Sequence, residues 1–134
     1  MSDVSAATLR GAAFWRVMGL GLVLWAAFLV PLRLGEGIGL LSGWLKVASF
    51  AVAVPALAMT TVAVQRLMGW PRAGLTGLIA LVLAPATLAD GFVFGFAPWL
   101  YGEDPAHQRA AAGLILWGVG VAIIMAWWIE RGEG

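Results

Sequence analysis

One carboxylate sits where water is scarce. Asp90 lies inside the apolar run 85–101, Pro-Ala-Thr-Leu-Ala-Asp-Gly-Phe-Val-Phe-Gly-Phe-Ala-Pro-Trp-Leu-Tyr. An ionised Asp near the centre of a membrane span costs roughly 2.5–3.5 kcal/mol on insertion scales. A residue kept at that cost has either a task or a partner. The task would be binding a proton or a cation. The partner would turn the carboxylate into a hydrogen-bonded or ion-paired lock between helices. No second acid lies within an apolar run, which favours the lock. Thr87 is the nearest hydroxyl on the same helix, and Arg33 and Lys46 are the cations expected to flank the same end. Trp99 follows nine residues later, placing Asp90 about 13 Å beneath it on a continuous helix.

Other chemistry is thin. Glu103, Asp104 and His107 share one short polar loop and could hold a metal at the membrane surface. No matching ligands occur elsewhere, so a solvated loop that caps the next helix is expected, with Asp104 as N-cap and Pro105 in the first helical position. The chain has no cysteine and a single histidine, which excludes disulfides, thiolate sites and a bis-histidine haem within one chain. Nothing resembles a phosphate-cradling glycine loop, a Ser/His/Asp arrangement or paired catalytic carboxylates. No catalytic residue, cofactor or metal is therefore expected, and the chain does not read as an enzyme. Trp25 and Trp117 fall mid-span. They could stack on a pigment, a quinone or a lipid, although filler is the commoner role for such residues.

The elements that must position Asp90 are membrane helices. Hydrophobic residues make up 62% and charged residues 11% of the chain, and the mean hydropathy is +0.93. Soluble domains carry roughly 25% charge, and a short soluble chain could not hide so much apolar surface. The sequence predicts an all-α polytopic membrane protein, a single domain over 1–134 with four transmembrane helices at about 14–34, 45–65, 73–100 and 110–129. About 20 apolar residues cross the hydrocarbon. Residues before 14 read as a solvated arm, and the first span is too long for a cleavable signal peptide. The tail from Glu130 onward reads as solvated. Pro55 and Pro85 predict kinks, with Thr60 and Thr61 placed to satisfy the freed carbonyl. Gly19 and Gly21 leave room for a neighbour. Gly91 and Gly95 form a GxxxG pair expected to pack against Gly113 and Gly118 within the chain. Trp15, Trp44, Trp70, Trp99, Trp127 and Trp128 fall near interfaces.

Flanking cations orient the chain. Arg10, Arg16, Arg66, Arg72 and Arg131 share the N-terminal side, against Arg33, Lys46 and Arg109 opposite. Both termini are thus expected in the cytoplasm. Pro31-Leu-Arg-Leu-Gly-Glu36 is echoed by Pro98-Trp-Leu-Tyr-Gly-Glu103, a pattern that a duplicated helical hairpin would leave. No basic face with interleaved aromatics is present, so nucleic acid is not expected as a partner.

Residues 19–33, Gly-Leu-Gly-Leu-Val-Leu-Trp-Ala-Ala-Phe-Leu-Val-Pro-Leu-Arg, resemble part of a group of small bacterial four-helix integral membrane proteins catalogued as a domain of unknown function. So do 88–101, Leu-Ala-Asp-Gly-Phe-Val-Phe-Gly-Phe-Ala-Pro-Trp-Leu-Tyr, and 113–122, Gly-Leu-Ile-Leu-Trp-Gly-Val-Gly-Val-Ala. The resemblance covers most of the chain and attaches to Arg33, Asp90, Pro98 and Trp117. The Gly-Glu-Asp-Pro loop at 102–105 departs from it. It implies a bacterial inner membrane location and no activity. The expected function is that of a non-enzymatic membrane protein serving as an accessory or assembly subunit of a membrane complex. Its partners would be membrane lipids and other membrane subunits, or a second copy in a homodimer. The alternative is a small proton- or cation-coupled transporter using Asp90.

Overall fold

The structure, a computed structural model, describes residues 11–132. Most of the expected N-terminal arm, Arg10 included, lies outside the described residues, as does the end of the tail. Four apolar stretches form four helices: α1 (Ala12–Gly35), α2 (Gly43–Met68), α3 (Leu75–Phe96) and α4 (Pro105–Arg131). Each is long and apolar enough to span a membrane. Two 3₁₀ turns, Glu36–Ile38 and Pro98–Leu100, follow α1 and α3. No strand occurs among the described residues. Leu22, Val23, Leu88, Leu116 and Ile124 lie mid-helix and point outward. Such faces suit lipid rather than water, so the chain is membrane-embedded.

The helix ends follow local chemistry. Asp104 accepts hydrogen bonds from the backbone N–H groups of Ala106 (3.0 Å) and His107 (3.3 Å), with Pro105 at the first helical position, as expected. At the end of α2, Gly69 adopts φ +60° and its N–H and that of Trp70 bond back to Arg66 and Gln65, a glycine-terminated cap. Glu130 is no free tail residue. Its carboxylate accepts from the N–H groups of Gly74 (2.8 Å) and Thr76 (3.0 Å) and from the Thr76 hydroxyl. The last turn of α4 thereby caps the first turn of α3, whose N–H groups have no helical acceptor.

Pro31, Pro55 and Pro85 sit inside the helices rather than ending them. Pro55 leaves the Ala51 carbonyl without its usual donor. Thr60 does not supply the replacement, because its hydroxyl donates to Ala56 one turn behind (2.8 Å). From α4 the Trp117 indole N–H donates to the Phe50 carbonyl (3.2 Å), a different acceptor from the one Pro55 frees.

Around the bundle the order is α1, α3, α4, α2. The helix pairs α1–α3, α3–α4 and α4–α2 pack along their lengths, whereas α1 and α2 share no sustained packing. Gly21 sets the α1–α3 crossing: a Cβ there would run into the Val82 carbonyl and the Pro85 ring. On α4, Gly118 faces Leu57 of α2 and Gly113 faces Phe50. Gly91 and Gly95 behave otherwise. Both are exposed and a Cβ at either would touch nothing, so the expected GxxxG packing within the chain does not occur. The inward face of α3 runs through Ile79, Val82, Asp90 and Val93. Gly91 lies about 100° around the helix from Asp90, on the outer side with Leu88 and Phe92.

Candidate functional site

Among the described residues, Asp90 meets no cation. The residue before a proline is disfavoured in the α region. Ala97, which precedes Pro98, takes φ −142° and ψ 49°, so α3 stops at Phe96. The chain then turns through the 3₁₀ segment and drops Tyr101 into the interior, where it is 1% exposed and stacks on Phe94 with ring centroids 4.5 Å apart. The Tyr101 hydroxyl donates to Oδ1 of Asp90. From α1, the Trp25 indole N–H reaches both Oδ1 of Asp90 (2.9 Å) and the Tyr101 oxygen (3.1 Å). Three elements thus converge on one carboxylate oxygen. Burying a phenol, an indole N–H and a carboxyl is costly unless each finds a partner, and here they satisfy one another. Burial first, and the bond to Asp90 second, hold the Tyr101 phenol above its ordinary pKa.

The residues expected around Asp90 lie elsewhere. Arg33 pairs with Glu36 (2.8 Å) and Glu103 (3.3 Å). It lies eight residues beyond Trp25 on α1, about 12 Å further along the axis, where the loop acids are the nearer partners. Lys46 is exposed and makes no bond to Asp90. Thr87 lines the interior space one turn before Asp90 but does not bond to it.

Arg33 belongs to a latch between the two loops on that face. Glu36 accepts from Arg33 and also from the Asp104 N–H (2.6 Å). The His107 ring nitrogen Nε2 donates to the Leu32 carbonyl (2.9 Å), and Gln108 donates to the Gly102 carbonyl (2.7 Å). Gly102 has φ +146°, and a Cβ there would press on Glu36 (2.7 Å) and His107 (2.9 Å). Glu103, Asp104 and His107 therefore turn to three different partners: Arg33, the start of α4, and α1.

The Asp90 group forms one end of an interior cavity of about 200 Å³ lined by all four helices. The cavity lies between two separate core clusters. One, toward the N-terminal face, includes Val17, Val64, Leu78 and Ala126; the other, toward the opposite face, includes Leu32, Leu41, Val93 and Tyr101. Small residues create the space, since Ala53, Ala56, Ala86 and Gly118 face inward at mid-height. Leu24, Phe28, Leu57, Ile79 and Leu114 supply its apolar wall. With no sustained α1–α2 packing, that side of the cavity wall is the least closed by helix contacts.

Sequence reasoning missed Tyr101 as a partner because it assumed a helix through residue 100. Eleven residues on a continuous helix would separate Asp90 and Tyr101 by about 16 Å. The dipeptide before Trp99, Ala97-Pro98, carried the signal for the turn. Trp25 could have been found by asking what its buried N–H donates to.

Fold and site together define a four-helix membrane bundle with an interior apolar cavity and a buried acid at one end. No family model, curated protein or solved structure matches the chain.

Proposed function

We propose that this chain is a non-enzymatic protein of the bacterial inner membrane that holds a small lipid-soluble molecule in its cavity and serves as an accessory subunit. The observation that carries the reading is an apolar space at mid-membrane, reached from the bilayer between α1 and α2 and ending on Asp90. Ligand sites are concave and mostly apolar, with few polar groups that fix orientation, and this cavity has that composition. The cation count supports a cytoplasmic location for both termini, and a reporter fused after Gly134 tests that orientation. The binding reading is tested by purifying the chain in mild detergent and identifying what organic solvent extracts from it. A stoichiometric lipid-soluble compound that is lost from Ala86→Phe supports it. Equal recovery from both proteins overturns it.

A second reading, a proton- or cation-coupled carrier, draws support from the second carboxyl oxygen of Asp90, which no side chain or N–H of the described residues engages. Proteoliposomes that accumulate a cation equally well with Asp90→Asn would rule it out.

A further inference from the structure

The hydrogen bonds at the polar end of the cavity are one-sided. Trp25 donates to Asp90 and to the Tyr101 oxygen, so the Tyr101 proton is directed at Asp90. Both donors land on Oδ1. Oδ2 receives none, yet it is not among the sealed side-chain atoms lacking a partner, which among the described residues are represented by Trp70 Nε1 alone. Oδ2 therefore opens to the cavity that Asp90 lines. The side chain itself is 9% exposed.

No described cation answers it. On α1, Arg33 is held by Glu36 and Glu103. On α4, His107 bonds to Leu32 and Arg109 is exposed. The α2 residues that line the cavity are all uncharged, and the remaining titratable neighbour is Tyr101, a donor. A buried carboxylate in apolar surroundings is unstable without a counter-charge. Water is a poor solution here, because a bound water needs two to four polar partners and the cavity wall is hydrocarbon apart from the Asp90 end and the Thr60, Thr61 and Thr87 hydroxyls.

We infer that the cavity takes a lipophilic ammonium, a protonated amine on an aryl or alkyl tail, with one N–H on Oδ2 of Asp90 and the tail along Leu24, Leu57 and Ile79. This deepens the ligand-binding reading above and rests on it. The ammonium supplies the missing charge, and its tail fills space that water does not. The ring of Trp25 adds a face for the cation. The size agrees. An apolar cavity of about 150 Å³ accepts benzene, so about 200 Å³ accommodates one ring with a short chain, the remainder lying in the gap between α1 and α2. Acid that protonates the carboxylate removes the ion pair, so affinity for the ammonium falls as pH is lowered.

The test compares 4-phenylbutylamine with its neutral counterpart 4-phenyl-1-butanol by calorimetry on the full chain in mild detergent. Three proteins are used: the natural chain, Asp90→Asn and Ala86→Phe. The amide introduced by Asp90→Asn keeps an acceptor for Trp25 and Tyr101, and retained alcohol binding reports that this variant is folded. The natural chain is expected to prefer the amine, and Asp90→Asn to weaken amine binding about 10- to 100-fold while changing alcohol binding less than about threefold. Amine binding should weaken as the pH is lowered while alcohol binding does not. Equal affinity for both compounds, or an equal loss of both in Asp90→Asn, overturns the ammonium inference and leaves the cavity reading standing. Binding of both compounds that is unchanged in Ala86→Phe overturns the two together.

Discussion

Gly21→Ala is expected to weaken the fold, while Gly19→Ala on the same helix is not. The two positions share a helix and a chemistry. A Cβ at Gly21 would lie 2.6 Å from the Pro85 ring and would also overlap the Val82 carbonyl, whereas one at Gly19 meets nothing within 4 Å. Neither obstacle at Gly21 can swing aside, one being a ring fused to the backbone and the other a helical carbonyl. The α1–α3 pair must separate or bend. Forcing an extra methyl into a packed contact costs about 1–3 kcal/mol, a factor of about 5 to 150 in the folded-to-unfolded ratio. The gain from replacing glycine by alanine in a helix, up to ~1 kcal/mol, is common to both variants. Their difference therefore isolates the contact. Unfolding by a denaturing detergent, titrated into mild-detergent micelles and followed by circular dichroism, measures it. Gly91→Ala and Gly95→Ala should behave like Gly19→Ala, within about 0.5 kcal/mol. A Gly21→Ala protein as stable as Gly19→Ala would refute the α1–α3 packing. Losses at Gly91 or Gly95 equal to that at Gly21 would refute their outward placement.

Three further outcomes follow from the contacts around the bundle. Tyr101→Phe leaves Asp90 and Trp25 with one bond fewer each and should cost about 1–3 kcal/mol, less than additively when combined with Trp25→Phe in a double-mutant cycle. Tyr101 is the sole tyrosine, so phenolate absorbance reports it alone. Its raised pKa means that the stability from the neutral phenol is fully present below the unfolded value near ~10 and is lost as pH climbs through the higher folded value. The absorbance step should therefore lie above its ordinary position, and Asp90→Asn should lower it part of the way. A step at the ordinary position in the folded protein would refute the buried pairing. Glu130→Leu should speed hydrogen exchange at the Gly74 and Thr76 amides without affecting those around Asp104, and unchanged exchange would show that the cap of α3 is supplied otherwise.

Much of the architecture could be read along the chain because hydrocarbon thickness sets span length and apolar composition marks it. The Asp104-Pro105 start of α4 was legible for the same local reason, since a cap is written in adjacent residues. What escaped was anything that depended on where the chain turns back. Asp90 was recognisable as the costly residue, but its partners lie 11 and 65 residues away and meet it through a turn at Ala97-Pro98. On a helical wheel Thr87, Gly91 and Gly95 follow Asp90 in order around one side of α3. The interior lies on the other side of Asp90 from the glycines, and a wheel by itself has no inside. Arg33 looked available for Asp90 because a sequence gives its depth in the membrane but not the two carboxylates it meets in the loops.

The echo between the two halves bears on why the cavity opens where it does. A two-fold axis along the membrane normal would exchange α1 with α3 and α2 with α4, and it would turn the α3–α4 seam into an α1–α2 seam. The first of these packs along its length and the second does not. Both faces of the molecule are nevertheless tied. Glu130 joins α4 to the start of α3 on one side, and the Glu36–Arg33–Glu103 group with His107 joins the loops on the other. These bonds fasten α3 to α4 and the α1 end to the α3–α4 loop, the Trp117–Phe50 bond holds α2 to α4, and none of them joins α1 to α2. The arrangement separates stability from access: the ties carry the fold, and the α1–α2 side stays open to a molecule arriving through the lipid. Strengthening that seam, for example by replacing small residues of α2 with larger apolar ones, should therefore raise stability and slow ligand exchange together, and a variant that tightened the seam while speeding exchange would place the route elsewhere.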